Sequence, residues 1–139
     1  MLVTKTTIRV RYADTDQMGY VYYGKYAEYY EVGRTEMIRG LGLTYADMES
    51  EGVIMPVTGM VIKYLKAAKY DEELTVVTTL KELPTARIVF FYDIFNEEDE
   101  LINQGEVSLV FTDFHKRKPR RPPNNLLQVL QPHFNEPNK

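Results

Sequence analysis

The chain of 139 residues has no cysteine, only two histidines (His115 and His133) and only two serines (Ser50 and Ser108). Without cysteine there is no disulfide, no zinc–thiolate site and no thiol nucleophile; a reducing compartment is the natural setting, and a cytoplasmic location is expected. A Ser-His-acid triad would have to draw on those four residues, and none of them sits in a G-x-S-x-G elbow. Metal sites built from His and Cys are equally short of ligands, so neither metal nor cofactor is expected. No apolar run approaches the roughly 18 residues of a membrane span. The opening MLVTKTTIRVRY reads as a strand rather than a signal peptide. A net charge of −3 argues against nucleic acid and anionic membranes as general partners, and no groove-reading motif is present. What survives is a single domain over residues 1–139 in which carboxylates and backbone groups would carry any chemistry.

Periodicity then orders the elements. Residues 4–12 alternate, with Ile8, Val10 and Tyr12 on one face, as in a half-buried strand. Residues 13–21 read as a loop turned at Gly19. From about Tyr23 to Arg39 the spacing becomes three to four, which predicts a long helix ended by Gly40 or Gly42. Gly33 in its interior points to close approach of a neighbouring element. Thr44 and Asp47 resemble a capping box that opens a short helix through Glu51. Four strands follow, over residues 57–67, 74–83, 87–95 and 101–114, the last two joined by a turn at Asn96–Glu100. Residues 115–123 are basic and proline-rich, Leu126–Leu130 forms a short C-terminal helix, and 135–139 fray. The fold class is therefore α+β: a five-stranded antiparallel sheet with one helix on it. Apolar residues left on the other face and edge call for self-association.

The informative stretch is RYADTDQMGYVYYGKYAEYYEVGR, residues 11–34. The helix in it starts on Tyr22-Tyr23-Gly24-Lys25, with no Ser, Thr, Asp or Asn as N-cap, and Lys25 adds charge of the wrong sign for the dipole. Amide donors at such an end are free for another group, for example a carbonyl oxygen gaining negative charge. Asp16 lies seven residues before Tyr23, and a loop folded back at Gly19 would bring its carboxylate there. If 14–16 are extended, Asp14 and Asp16 point the same way and repulsion raises the pKa of one. A carboxylate facing an amide-lined helix end suits acyl transfer or thioester hydrolysis; the plainer alternative is that both acids cap loop amides or face solvent. Glu31 and Arg34 have the spacing of an intrahelical ion pair.

Tyr12-x-Asp14-Thr15-Asp16-x-x-Gly19-x-Val21-Tyr22-Tyr23-x-x-Tyr26, followed by Glu31-x-Gly33-Arg34, resembles the signature of the hotdog-fold acyl-CoA thioesterases. The closest likeness is to the 4-hydroxybenzoyl-CoA thioesterase class and its YbgC/FadM-like relatives. Ile62–Glu72 and Gly105–Phe114 are similar to the family's central and penultimate strands, so the likeness spans roughly residues 5–121. It implies a hotdog fold, with the sheet wrapped around one long helix, and residues 124–139 as a tail.

It also implies roles. Asp16 matches the catalytic carboxylate, as nucleophile or as general base. The amide of Tyr23, helped by Gly24, matches the oxyanion donor, Gly19 the turn, and Asp14 a loop-supporting acid. The family's site at a dimer interface would bring Lys63, Tyr64 and Leu65 of a partner to the acyl pocket. Many relatives carry His at the position of Tyr23 and Asn at that of Lys25. Of the basic turn that grips CoA in relatives only Arg87 remains, and Lys116, Arg117, Lys118, Arg120 and Arg121 are the more plausible phosphate clamp. The expected function is an acyl-CoA thioester hydrolase that needs no cofactor and works as a homodimer or homotetramer, on CoA or acyl-carrier-protein thioesters. The alternative is a hotdog protein that binds acyl-CoA or acyl-carrier protein without catalysis.

Overall fold

Alternation of side chains along each strand decides which face of the sheet is buried. In the computed structural model, which describes residues 1–135, β1 (Leu2–Arg9) turns its even-numbered residues inward. α1 (Lys25–Gly40) follows, then α2 (Tyr45–Ser50), β2 (Val53–Ile54), β3 (Val57–Tyr64), β4 (Glu73–Leu80), β5 (Arg87–Phe95) and β6 (Leu101–Val110). β7 (Thr112–Asp113), β8 (Lys118–Pro119) and α3 (Asn124–Leu130) complete the chain. The main sheet is antiparallel throughout, in the order β1-β4-β5-β6-β3, and β2, β7 and β8 form a second small sheet. The result is a mixed α/β architecture with β1 and β3 at the two edges.

β4 and β5 have the cleanest patterns. Leu74, Val76, Thr78 and Leu80 alternate with half-buried residues, as do Ile88, Phe90, Tyr92 and Ile94. α1 lays Tyr26, Tyr29, Tyr30, Gly33, Met37 and Ile38 against this face, as their helical spacing requires. Close approach explains Gly33: a Cβ there would fall on Thr78 Oγ1 and within 3.1 Å of Val76 Cγ1. Leu126 and Leu130 of α3 join the same core. Each large side chain buried there contributes roughly 1.5–3 kcal/mol relative to exposure.

Several expected boundaries shift. The first strand stops at Arg9, so Tyr12 is 79% exposed instead of facing the core; Val10 hydrogen-bonds across to residues 71 and 72, and the chain then turns away. The strands expected over 57–67 and 101–114 stop at Tyr64 and Val110. The basic stretch, read as irregular, contains the β7–β8 hairpin. Its turn holds because Asp113 Oδ1 accepts from the amides of His115 (3.0 Å) and Lys116 (2.8 Å), while Arg117 takes the left-handed conformation at φ 56°. The two-residue β2 was not anticipated. Thr44 caps α2 as expected, its hydroxyl accepting from Asp47 N at 3.0 Å. The expected fraying at 135–139 falls almost wholly outside the described residues.

Candidate active site

Between β1 and α1 the chain makes a short 3-10 turn at Tyr12–Asp14 and then a tight loop. Asp14 is buried, and its contacts with Tyr29 and Lys25 tie this loop to α1. Its Oδ2 accepts from Arg11 N and from Tyr29 Oη, both at 3.0 Å, and Lys25 Nζ lies 3.7 Å from Oδ1. Its carbonyl accepts from Tyr22 N at 2.9 Å. Burial alone would push this carboxyl up, but the Arg11 amide, the Tyr29 hydroxyl and the Arg11 charge together outweigh it and hold the carboxyl below 3.8. The expected extended 14–16 segment is therefore absent: the turn sends Asp14 inward, away from any repulsive pairing with Asp16. Lys25, at first sight badly placed, is offset by Asp14 and by Glu28 at 3.3 Å.

A stability prediction follows from Asp14. Asp14→Asn is expected to lose about 1–3 kcal/mol at pH 7, the cost of charge-assisted hydrogen bonds; Arg11 is mostly exposed, so its share is screened. The folded-state pKa lies below the unfolded one, so this stability is complete above 3.8 and is lost as pH falls through the folded value. Denaturant titrations of both proteins from pH 7 downward should show the gap constant to about pH 4 and closing below it.

Asp16 is half-buried and held by a turn of its own. Gly19, at φ 82°, reverses the chain, so that Asp16 N donates to Tyr20 O (2.8 Å) and Gly19 N to Asp16 O (3.0 Å). Oδ1 accepts from Met18 N at 2.9 Å and Tyr20 N at 3.3 Å, whereas Oδ2 has no hydrogen-bond partner among the described residues. One oxygen fixes the side chain and the other is available.

The start of α1 faces the same space. Gly24 is the N-cap and gives no side-chain cap. Among the described residues, the amides of Tyr23 and Gly24 donate to nothing; the next amide, Lys25 N, is taken by Tyr22 O at 2.9 Å. Tyr64 Oη donates to Tyr23 O at 3.1 Å, which steadies the turn without occupying its donors. Asp16 and Tyr23 line one cavity of about 370 Å³, walled by Met18, Tyr26, Tyr64 and Leu65. Burial first, then the neighbouring Tyr64 and Glu72, push the Tyr26 phenol up to about 12, so it is a neutral donor at pH 7. On the other side of Asp16 a second hollow, about 500 Å³, is flanked by Tyr12 and Tyr70, whose rings meet edge-on at 5.8 Å.

The other expected site residues divide. Tyr64 and Leu65 reach this cavity within the same chain. Lys63 points instead to the outer sheet face, beside Lys81, Asp93 and Glu106. Arg87 lies on that face too, its Nη2 donating to Ser108 Oγ at 3.1 Å. Lys116, Arg117, Lys118, Arg120 and Arg121 sit in and after the β7–β8 hairpin, Arg117 stacked on Phe114 at 4.6 Å. That hairpin borders the Val57 end of β3, whereas the cavity borders its Tyr64 end, roughly 23 Å away along the strand. Tyr29, which anchors Asp14, escaped sequence reasoning because its spacing marks it only as helix core. Glu31 and Arg34 form no ion pair: Arg34 turns into the core. No cluster of three or more His, Asp or Glu side chains among the described residues is placed to hold a metal ion.

Residues 10–130 match the profile of the thioesterase-like superfamily. The chain belongs to that superfamily. The putative acyl-CoA thioesterase YneP of Bacillus subtilis is 41% identical over 119 residues, 86% of each chain. The acyl-CoA thioester hydrolase YbgC of Escherichia coli is 35% identical over 120 residues, 86% of this chain and 90% of that one. A solved DHNA-CoA thioesterase from Staphylococcus aureus superposes with a TM-score of 0.86 at 36% identity, covering 98% of this chain and 97% of that one. The matched segment runs from the acid loop through α1 and strands β2 to β8 to α3, and it includes every group of the candidate site.

Proposed function

We propose that the chain is an acyl-CoA thioester hydrolase, releasing a carboxylic acid and CoASH, in a single hotdog domain whose sheet wraps α1. One observation carries the assignment: Asp16 and Tyr23, whose amide has no partner among the described residues, line one cavity. The thioester carbonyl oxygen accepts from Tyr23 N, with Gly24 N beside it, and the negative charge it gains is met by two fixed donors at a positive helix end. Asp16 Oδ2 either attacks the carbonyl carbon, giving an anhydride that water then opens, or takes a proton from the attacking water. In both routes the C–S bond breaks and the thiolate leaves as CoASH after protonation. No cofactor enters the proposed reaction, and a cytoplasmic location accords with a cysteine-free chain. A thiol-release assay over short, long and aromatic acyl-CoAs tests the activity. Calorimetric binding of acyl-CoA with no thiol from any of them would select the non-catalytic alternative.

The quaternary arrangement is part of the proposal. β3 is an edge strand, and its Val57, Val61 and Tyr64, with Leu65 just beyond, are between 46% and 56% exposed, a surface suited to pairing with a second copy. Antiparallel β3–β3 pairing would set the Val57 end of one chain beside the Tyr64 end of the other. The partner's basic hairpin would then lie at this chain's cavity and grip the CoA phosphates in trans, across the distance that separates hairpin and cavity within one chain. Mixed dimers test this. A dimer of one Asp16→Asn chain and one Arg120→Ala/Arg121→Ala chain should recover one fully competent site, well above either parent homodimer. Activity no higher than the average of the parents would place the clamp in cis or remove it.

A further inference from the structure

Arg34 stands outside the reaction proposed above. It lies on α1 roughly 16 Å from Tyr23 at 1.5 Å per residue. Only 6% of it is exposed, and it is the sole buried cation among the described residues. Its Nε and Nη1 have no hydrogen-bond partner, and no carboxylate among the described residues forms an ion pair with it. The buried hydroxyls of Tyr45 and Tyr92 lie next to it, near enough to interact with the guanidinium, and have no other hydrogen-bond partner among the described residues. Burial raises both phenols, Tyr45 to about 12, and the charge of Arg34 and its hydrogen bonding only partly offset this. Both are therefore neutral at pH 7 and supply no counter-charge. Guanidinium does not shed its proton, and an uncompensated buried ion is costly, so the arrangement calls for an anion from outside the chain.

A place for that anion exists. Arg34 lines a hollow of about 150 Å³ between α1, α2 and β2, with Tyr45 beside it and walls of Met48, Val53, Met55 and Leu109. Glu31 and Glu49 also border it, and both are exposed, so they form the rim. We propose that this hollow binds a small monocarboxylate, its oxygens toward Arg34 and Tyr45 and its apolar body between the methionines. Bidentate pairing with Arg fits a carboxylate, and a cavity of this volume accommodates a single benzene ring. The two rim glutamates repel dianions and polyanions, which excludes the CoA nucleotide. The inference does not depend on hydrolysis at Asp16.

Calorimetric titration of sodium benzoate into the full chain tests it. Wild type and Asp16→Asn should both show one saturable site of equal affinity. Arg34→Met should weaken binding roughly 10- to 100-fold, the loss of charge-assisted hydrogen bonds. Ile54→Trp, which fills the hollow from its β2 side and leaves Arg34 in place, should weaken it similarly, and it decides the matter if Arg34→Met does not fold. Glu31→Gln at low salt should tighten binding a few-fold. Absence of saturable binding to wild type, or equal affinity in wild type and Ile54→Trp, would overturn the proposal.

Discussion

Asp16→Asn is expected to lower thiol release from acyl-CoA by roughly 10²- to 10⁴-fold, with melting temperature and oligomer size unchanged. At 1.36 kcal/mol per decade that is about 3–5 kcal/mol of transition-state stabilisation. The substitution is nearly isosteric, and the amide retains one oxygen to accept from Met18 N and Tyr20 N, so the loop keeps its anchor. Those two donors also orient the new side chain: its oxygen must face them, which puts the NH2 where Oδ2 was. An amide nitrogen there neither attacks a carbonyl nor accepts a proton from water. A loss of rate together with a fall in stability would mean that Asp16 is a loop anchor first, and turnover near wild type would remove it from the chemistry.

The second large effect is structural. Gly105→Ala is expected to destabilise the fold by about 2–3 kcal/mol, the upper part of the range for overpacking a tight core, and to lower the melting temperature by roughly 6–12 °C. Gly105 pairs with Tyr92 in the ladder between β5 and β6, and a Cβ on it would land on the ring of Tyr30. That ring cannot yield. It is fully buried, stacked on Tyr92 at 4.3 Å, and its hydroxyl donates to Asn103 Oδ1. Replacing Tyr30 by the shorter leucine should cost stability by itself yet cost less in the Gly105→Ala background, since neighbouring substitutions that share one space do not add. Equal costs in both backgrounds would show that the two residues do not compete for that space. Because α1 carries both Tyr30 and the site, a loosened contact here should also lower turnover.

Most of this architecture is legible before any coordinates. The strand over 87–95 is readable because Ile88, Phe90, Tyr92 and Ile94 alternate without exception, and each proves buried. α1 is readable from its three-to-four spacing, and the purpose of Gly33 follows from its position inside that pattern. The free amides at Tyr23 and Gly24 are readable too, because no capping residue precedes them. Other features depend on contacts that spacing does not encode. Tyr12 continues the apolar alternation of β1 but belongs to a turn, since the ladder with β4 ends at Arg9. The β7–β8 hairpin has β8 made of lysine and proline, residues depleted in strands, and holds through Asp113 and its β7–β2 pairing. Asp14 becomes intelligible only when Tyr29 and Lys25 are brought to it by the packing of α1. Arg34 misleads for the same reason: its spacing from Glu31 suits a surface pair, yet its place on the helix points it into the core.

A crystal structure of the Asp16→Asn protein holding an uncleaved acyl-CoA would examine the proposed chemistry at the atoms concerned. The thioester oxygen should lie about 2.7–3.1 Å from the main-chain nitrogen of Tyr23, with the side chain at position 16 beside the carbonyl carbon. A carbonyl bound elsewhere, with water or protein groups filling the Tyr23 and Gly24 donors, would contradict the assignment.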